Sequence, residues 1–106
     1  MPDASFYFDR ALNYERVDDY ENAIQDYDRA IQIDPSYASA YYNRGYSYYK
    51  LGQYQPAIQD YDGAIQLDPN FATAYNNRSD AYYNLGKYAE ADADKAKACS
   101  LDTQYG

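Results

Sequence analysis

An all-α array of three stacked helix pairs is the fold this sequence predicts. The chain returns on itself with a period of 34 residues, with Ala4, Ala38 and Ala72 opening copies that span 4–37, 38–71 and 72–105. Adjacent copies agree at roughly half of their positions, the mark of a repeat architecture. Within each copy the apolar residues recur at steps of three and four, which keeps them on one face of a helix. The breaks also recur, with Gly52 and Gly86 inside the second and third copies and Asp34-Pro35 and Asp68-Pro69 closing the first and second. A lone helix pair cannot bury its apolar face, so the three units are expected to form one domain over 4–105.

After a short lead-in, the first helix is expected over Ala4–Arg16, with Tyr7, Ala11, Tyr14 and Val17 facing the core. Asp18 and Asp19 supply the turn and the N-cap of the second helix. That helix is expected over Tyr20–Ile33 with Ala23, Ile24, Tyr27, Ala30 and Ile31 inside, stopped at Asp34-Pro35 because Pro cannot continue the hydrogen-bond ladder. In the second copy, helices are expected over Ser39–Leu51 and Tyr54–Leu67, with Gly52 at a left-handed C-cap. Pro56 falls in a first turn, where a missing N–H costs little. Ala11, Gly45 and Ser79 on first helices should meet Ala23, Ala57 and Ala91 on second helices, small against small, so that the backbones approach closely. In the third copy Asp92 and Lys95 replace Ile58 and Tyr61, and Thr103 replaces Pro69. A polar outer face of this kind suits the last unit of a stack.

The unit resembles the tetratricopeptide repeat. Tyr41 stands where that family usually has Trp, and Gly45, Tyr48, Tyr54, Ala57, Tyr61, Ala64 and Pro69 match the remaining signature positions. The resemblance covers nearly all of 4–105. It implies a right-handed α-solenoid of six helices, with the first helix of each repeat lining a concave groove for extended or helical peptides.

Composition narrows the function. A net charge of −8, from 9 basic and 17 acidic residues, argues against a phosphate-binding surface, so nucleic acid is not an expected partner. No apolar run approaches membrane-spanning length, and MPDASF lacks a basic stretch followed by an apolar core. A cytoplasmic location without membrane contact is the expectation. One Cys allows no internal disulfide, and the absence of His removes the commonest general base and metal ligand.

The charged residues read as structure. Asp26/Asp28 and Asp60/Asp62 recur at the repeat period, whereas catalysis needs a single convergent constellation, so a solvated face is expected, with no catalytic residue, no metal and no cofactor. Arg10, Arg44 and Arg78 on first helices recur with Asp26, Asp60 and Asp94 on second helices, predicting partly exposed charge-assisted bonds worth about 1 kcal/mol each. Cys99 shares the register of Ile31 and Ile65 and should be a mostly buried, unreactive thiol.

Function is expected on the other face of the first helices. Phe8, Leu12, Tyr42, Tyr46, Tyr49 and Tyr83, interspersed with Asp9, Asn43, Asn77 and Asp80, form a stripe that the core does not use. Aligned across three helices, such a stripe marks a binding surface, with Tyr46 and Tyr49 the expected contacts. Family members that clamp a chaperone's C-terminal carboxylate use Lys, Asn, Asn, Lys and Arg. Here Phe8, Leu12, Asn43, Thr73 and Asn77 correspond, so the cations are missing and that ligand is not expected. Asn43 and Asn77 resemble the asparagines with which other members hold a peptide main chain. With Asp9, Glu15 and Asp80 in the groove and Arg16 and Lys50 at its edge, the expected partner is a neutral or basic protein segment. The competing expectation is self-association into a homo-oligomer through the terminal repeats.

Overall fold

The computed structural model describes residues 2–105. Among them lie six α-helices and no strand: α1 (Ala4–Arg16), α2 (Tyr20–Ile33), α3 (Ala38–Lys50), α4 (Tyr54–Leu67), α5 (Ala72–Asn84) and α6 (Tyr88–Leu101), followed by a 3-10 turn over Thr103–Tyr105. Each helix packs on its neighbours in sequence, and α3 also touches α5, giving an all-α repeat solenoid with extents of 44 × 25 × 21 Å. The one shift from the expected bounds is α3, which starts at Ala38 rather than Ser39 and ends at Lys50 rather than Leu51.

The turns inside the three repeats have one geometry. Asp18, Gly52 and Gly86 all take positive φ, at 61°, 75° and 76°. The amides of Asp19, Gln53 and Lys87 donate back to the carbonyls of Tyr14, Tyr48 and Tyr82, each at 2.9 Å. This is the Schellman closure, in which a left-handed residue turns the chain and uses carbonyls the helix leaves free. Glycine takes that conformation without strain, while Asp18 is among the few side chains that tolerate it. Asp19 then caps α2 by accepting from the Asn22 amide.

The turns between repeats depend on an aspartate. Asp34, Asp68 and Asp102 accept through their side chains from the amides of Ser36, Asn70 and Gln104, each at 3.1 Å. The third turn keeps this geometry with Thr103 in place of proline, so the carboxylate shapes the turn and the proline only forbids the helix to continue.

The core is thin and made of small residues around two rings. Ala11, Ala23, Ala30, Ala40, Ala57, Ala64, Ala74, Ala81 and Ala98 are fully buried, as are Tyr27 and Tyr61. Ala40, at the start of α3, joins the cluster of Ala11, Ala23, Tyr27 and Ala30 and so carries the first repeat's core into the second. The approach is close at Gly45, where an added Cβ would lie 2.9 Å from the Tyr61 ring. In the third repeat the small-residue contact becomes polar, with Ser79 Oγ donating to the Ala91 carbonyl at 2.7 Å. Asp92 and Lys95 are exposed. Cys99 is half-buried, like Ile31 and Ile65.

Val17 departs from its expected place in the core, being 74% exposed. Its spacing continues the helical stripe, but Val17 is the C-cap of α1, and the chain turns away before its side chain can reach the partner helix.

Two substitutions test these packing claims. Ala57→Leu should cost about 1 to 3 kcal/mol in a urea titration, since the fully buried site has no room for three more carbons. Asp18→Gly should instead raise stability by about 0.5 kcal/mol by relieving the left-handed strain, even though it removes the bond from the Tyr20 hydroxyl.

Candidate functional site

Three guanidinium groups set where the first helices lie. Arg10 reaches Asp26 through Nε at 2.7 Å and Nη2 at 2.9 Å, Arg44 reaches Asp60 at 2.8 and 2.6 Å, and Arg78 reaches Asp94 at 2.7 Å twice. Each is a two-pronged bond between the helices of one repeat. Arg44 and Arg78 also extend Nη1 to Asp28 and Asp62 of the preceding repeat, both at 2.7 Å. One arginine therefore joins three helices.

This corrects the reading of the paired carboxylates as a solvated face. Asp26 is only 1% exposed, Asp60 and Asp94 are buried, and Asp28 and Asp62 are half-exposed bridges between repeats. The pairs are also more enclosed than expected from exposed ion pairs. The periodicity showed Arg opposite Asp within a repeat, and the bridge across repeats was legible in the same way, because Arg44 follows Asp28 by the same 16 residues that separate it from Asp60. Arg10 holds the Asp26 carboxyl below its ordinary value, with Arg29 helping, whereas burial pushes Asp60 up against the opposing pull of Arg44.

On this base the groove residues fall into registers. Phe8 and Tyr42 are largely engaged in packing: Phe8 stacks on Tyr37 at 4.9 Å and Tyr42 on Phe71 at 5.0 Å. In each case the ring of a first helix meets the aromatic that ends its own repeat. Asn77 Nδ2 donates to the Tyr42 hydroxyl at 2.8 Å, linking the third repeat to the second. Asp9 is exposed, and Leu12 and Asn43 are half-buried. Tyr83 is 65% exposed and meets only Tyr88 edge-on among aromatic rings, at 5.0 Å.

Tyr46, Tyr49, Asn77 and Asp80 come together. They line a half-open pocket of about 60 Å³ between α3 and α5. Tyr49 is braced edge-on by Tyr54, and its hydroxyl accepts from Asn84 Nδ2 at 3.3 Å. Lys50 Nζ sits 6.0 Å above the Tyr46 ring. Burial pushes the Asp80 carboxyl up, opposed by Lys95. The pocket thus offers two ring surfaces, an amide and a carboxylate, a set suited to an uncharged or cationic group.

Glu15 has a larger role than its expected place in the groove. Its Oε1 accepts from the Tyr27 hydroxyl at 2.9 Å and from Ser47 Oγ at 3.4 Å, and burial raises its pKa. No such carboxylate exists one repeat later, where Tyr49 takes the register of Glu15. The change of residue type along 15, 49 and 83 was the available signal.

Comparison with known proteins places this geometry. Family profiles described as TPR repeat match residues 18–52 and 45–86, and one described as Tetratricopeptide repeat matches 72–105. Among curated proteins, no sequence matches the chain significantly. The chain is similar to the structure titled second TPR of Spaghetti (RPAP3) bound to HSP90 peptide SRMEEVD, with 33% identity and a TM-score of 0.91 over 93% of this chain and 92% of that one. The first TPR of the same protein, bound to the same peptide, is 26% identical with a TM-score of 0.93 over 94% and 79%. A crystal structure of MamA is 30% identical with a TM-score of 0.92, covering 96% of this chain but only 60% of that one.

The arginine ladder generates two expectations. Arg44→Met should cost about 3 kcal/mol in chemical denaturation, more than Arg10→Met, because it strands a buried Asp60 together with Asp28, while Arg10 is itself 44% exposed. Asp26, with its folded pKa below the ordinary 3.8, contributes stability that is present above that value and lost as the pH falls through the lower folded one. The stability difference between the wild type and Asp26→Asn should therefore be constant near neutrality and shrink below about pH 4.

Proposed function

Because the chain belongs to the tetratricopeptide repeat family, we propose that it is a non-catalytic interaction scaffold that holds a peptide segment of a partner protein against α1, α3 and α5. The observation that carries this reading is the pocket between α3 and α5, where two tyrosine rings, an amide and a carboxylate face open space. Two similar structures carry the HSP90 peptide SRMEEVD, which supports peptide binding as the use of this fold.

That acidic peptide is a poor fit here. The groove presents Asp9, Asp80, Asn43 and Asn77, with Phe8, Leu12 and Thr73 in place of a carboxylate clamp, and Phe8 is stacked on Tyr37. An anion entering it would lose its water without gaining a cation. The partner we propose is a neutral or basic segment with apolar anchors, bound with a Kd of about micromolar size as expected of one small groove. Contacts fall on Tyr46, Tyr49, Asn77, Asp80 and Tyr83, with Asp9, Leu12 and Asn43 extending the track and Phe8 and Tyr42 shaping its floor. No nucleic acid, membrane, metal or cofactor enters this reading, and a cytoplasmic setting accords with it. Among the described residues no helix is long and apolar enough to cross a membrane.

Self-association is the second reading, favoured by the exposure of Tyr83, Leu85 and Tyr88 near the end of the array. Light scattering across a concentration series separates the two, since a strict monomer removes it.

Selection of peptides from a random displayed library tests the first reading. Neutral or basic sequences should be recovered, and Tyr46→Ala or Tyr49→Ala should weaken them by about 1 to 3 kcal/mol in calorimetry. Added salt should slow association more than it speeds release. Recovery of acidic sequences ending in a free carboxylate would contradict the charge argument.

A further inference from the structure

The pocket between α3 and α5 has a filled counterpart one repeat earlier. There Glu15 stands in the register of Tyr49, and its carboxylate takes the hydrogen bond of the buried Tyr27 hydroxyl at 2.9 Å. The equivalent of Tyr27 is Tyr61, equally buried, but its hydroxyl has no carboxylate to bond and only the Asn77 side-chain amide near it, outside good hydrogen-bond geometry. By repeat register Tyr61 stands to Tyr49 as Tyr27 stands to Glu15, which sets its hydroxyl behind the pocket that Tyr49 lines, without Tyr61 itself lining it. A buried hydroxyl without an acceptor lowers stability, and supplying one from outside recovers that loss as binding energy.

We propose that the pocket receives a main-chain carbonyl of the bound peptide, which accepts the Tyr61 hydroxyl in the place that Glu15 fills internally in the first repeat. The proposal rests on the peptide-binding reading above and identifies the group that the site recognises. A carbonyl is favoured over a carboxylate because Asp80 stands at the rim of a chain with net charge −8. The nearby cations are already engaged, with Lys95 Nζ donating to Asn76 at 2.8 Å and Lys50 lying over the Tyr46 ring. A peptide group is also flat, which suits the walls formed by Tyr46 and Tyr49, and its own N–H can be accepted by Asp80.

The test uses peptides selected from a random displayed library on the wild-type chain, synthesised with acetylated and amidated ends. Their affinities and the melting temperatures are measured for the wild type, Tyr61→Phe, Tyr49→Glu and Tyr27→Phe. Tyr61→Phe should keep or raise the melting temperature while weakening the peptides about tenfold, the effect of one lost hydrogen bond to a buried donor. Tyr49→Glu should imitate the first repeat, raising the melting temperature and blocking the peptides. Tyr27→Phe should lower the melting temperature and leave affinity unchanged. Should Tyr61→Phe bind like the wild type, or lose stability as Tyr27→Phe does, the hydroxyl serves the fold or a trapped water and the proposal is overturned while peptide binding stands. If Tyr61→Phe does not fold, full affinity in Tyr49→Glu has the same force. A library that yields no ligand for the wild type overturns the peptide-binding reading and this proposal together.

Discussion

A single arginine per repeat sets the geometry on which the groove depends. Arg44 spends one edge of its guanidinium on Asp60 within its own repeat and its remaining Nη1 on Asp28 of the previous one. The planar, fixed fork of five donors makes that possible, and a lysine could not do the same. Small residues such as Ala23 and Ala57 let the helices come close, but close packing of alanines alone leaves the helices free to slide. The paired bonds fix both the sliding and the rotation of each first helix, and with them the direction in which Tyr46, Tyr49 and Asn77 point.

The ends of the array behave differently from its middle for the same reason. Arg10 bonds only to Asp26 within its own repeat and is more exposed than Arg44 or Arg78. On the other side, α6 presents exposed Asp92 and Lys95 where the other second helices present apolar or aromatic groups, so it exposes no ring equivalent to Tyr61. Both α3 and α5 are therefore bonded on both sides. These are the helices that carry Tyr46, Tyr49, Asn77 and Asp80.

The helices were legible because periodic spacing, glycine and Asp-Pro punctuation all agreed, and three of the four helices whose bounds the spacing predicts come with no shift. Val17 was misread because the apolar spacing was carried one residue past the helix end at Arg16, where the chain already turns away. Asp26 and Asp60 show a different limit. A carboxylate looks the same in sequence whether it faces water or a guanidinium, and only the recurrence of Arg10, Arg44 and Arg78 distinguished them. Phe8 and Tyr42 were assigned to the groove by their face, but the stacking on Tyr37 and Phe71 depends on how the end of each repeat folds back, which helical spacing does not encode. The contrast between Glu15 and Tyr49 was written in the sequence, yet it gains meaning only when Tyr27 and Tyr61 are seen to be buried beside them.

The central claim is that peptides are read on the first-helix face around α3 and α5. Nuclear magnetic resonance titration of the labelled chain with a library-selected basic peptide tests it most directly. The account predicts that the largest shifts fall on Tyr46, Tyr49, Asn77, Asp80 and Tyr83, with the ring signals of Tyr61 moving as its hydroxyl gains an acceptor. Shifts confined to the second helices α2, α4 and α6, with these residues unmoved, would contradict it.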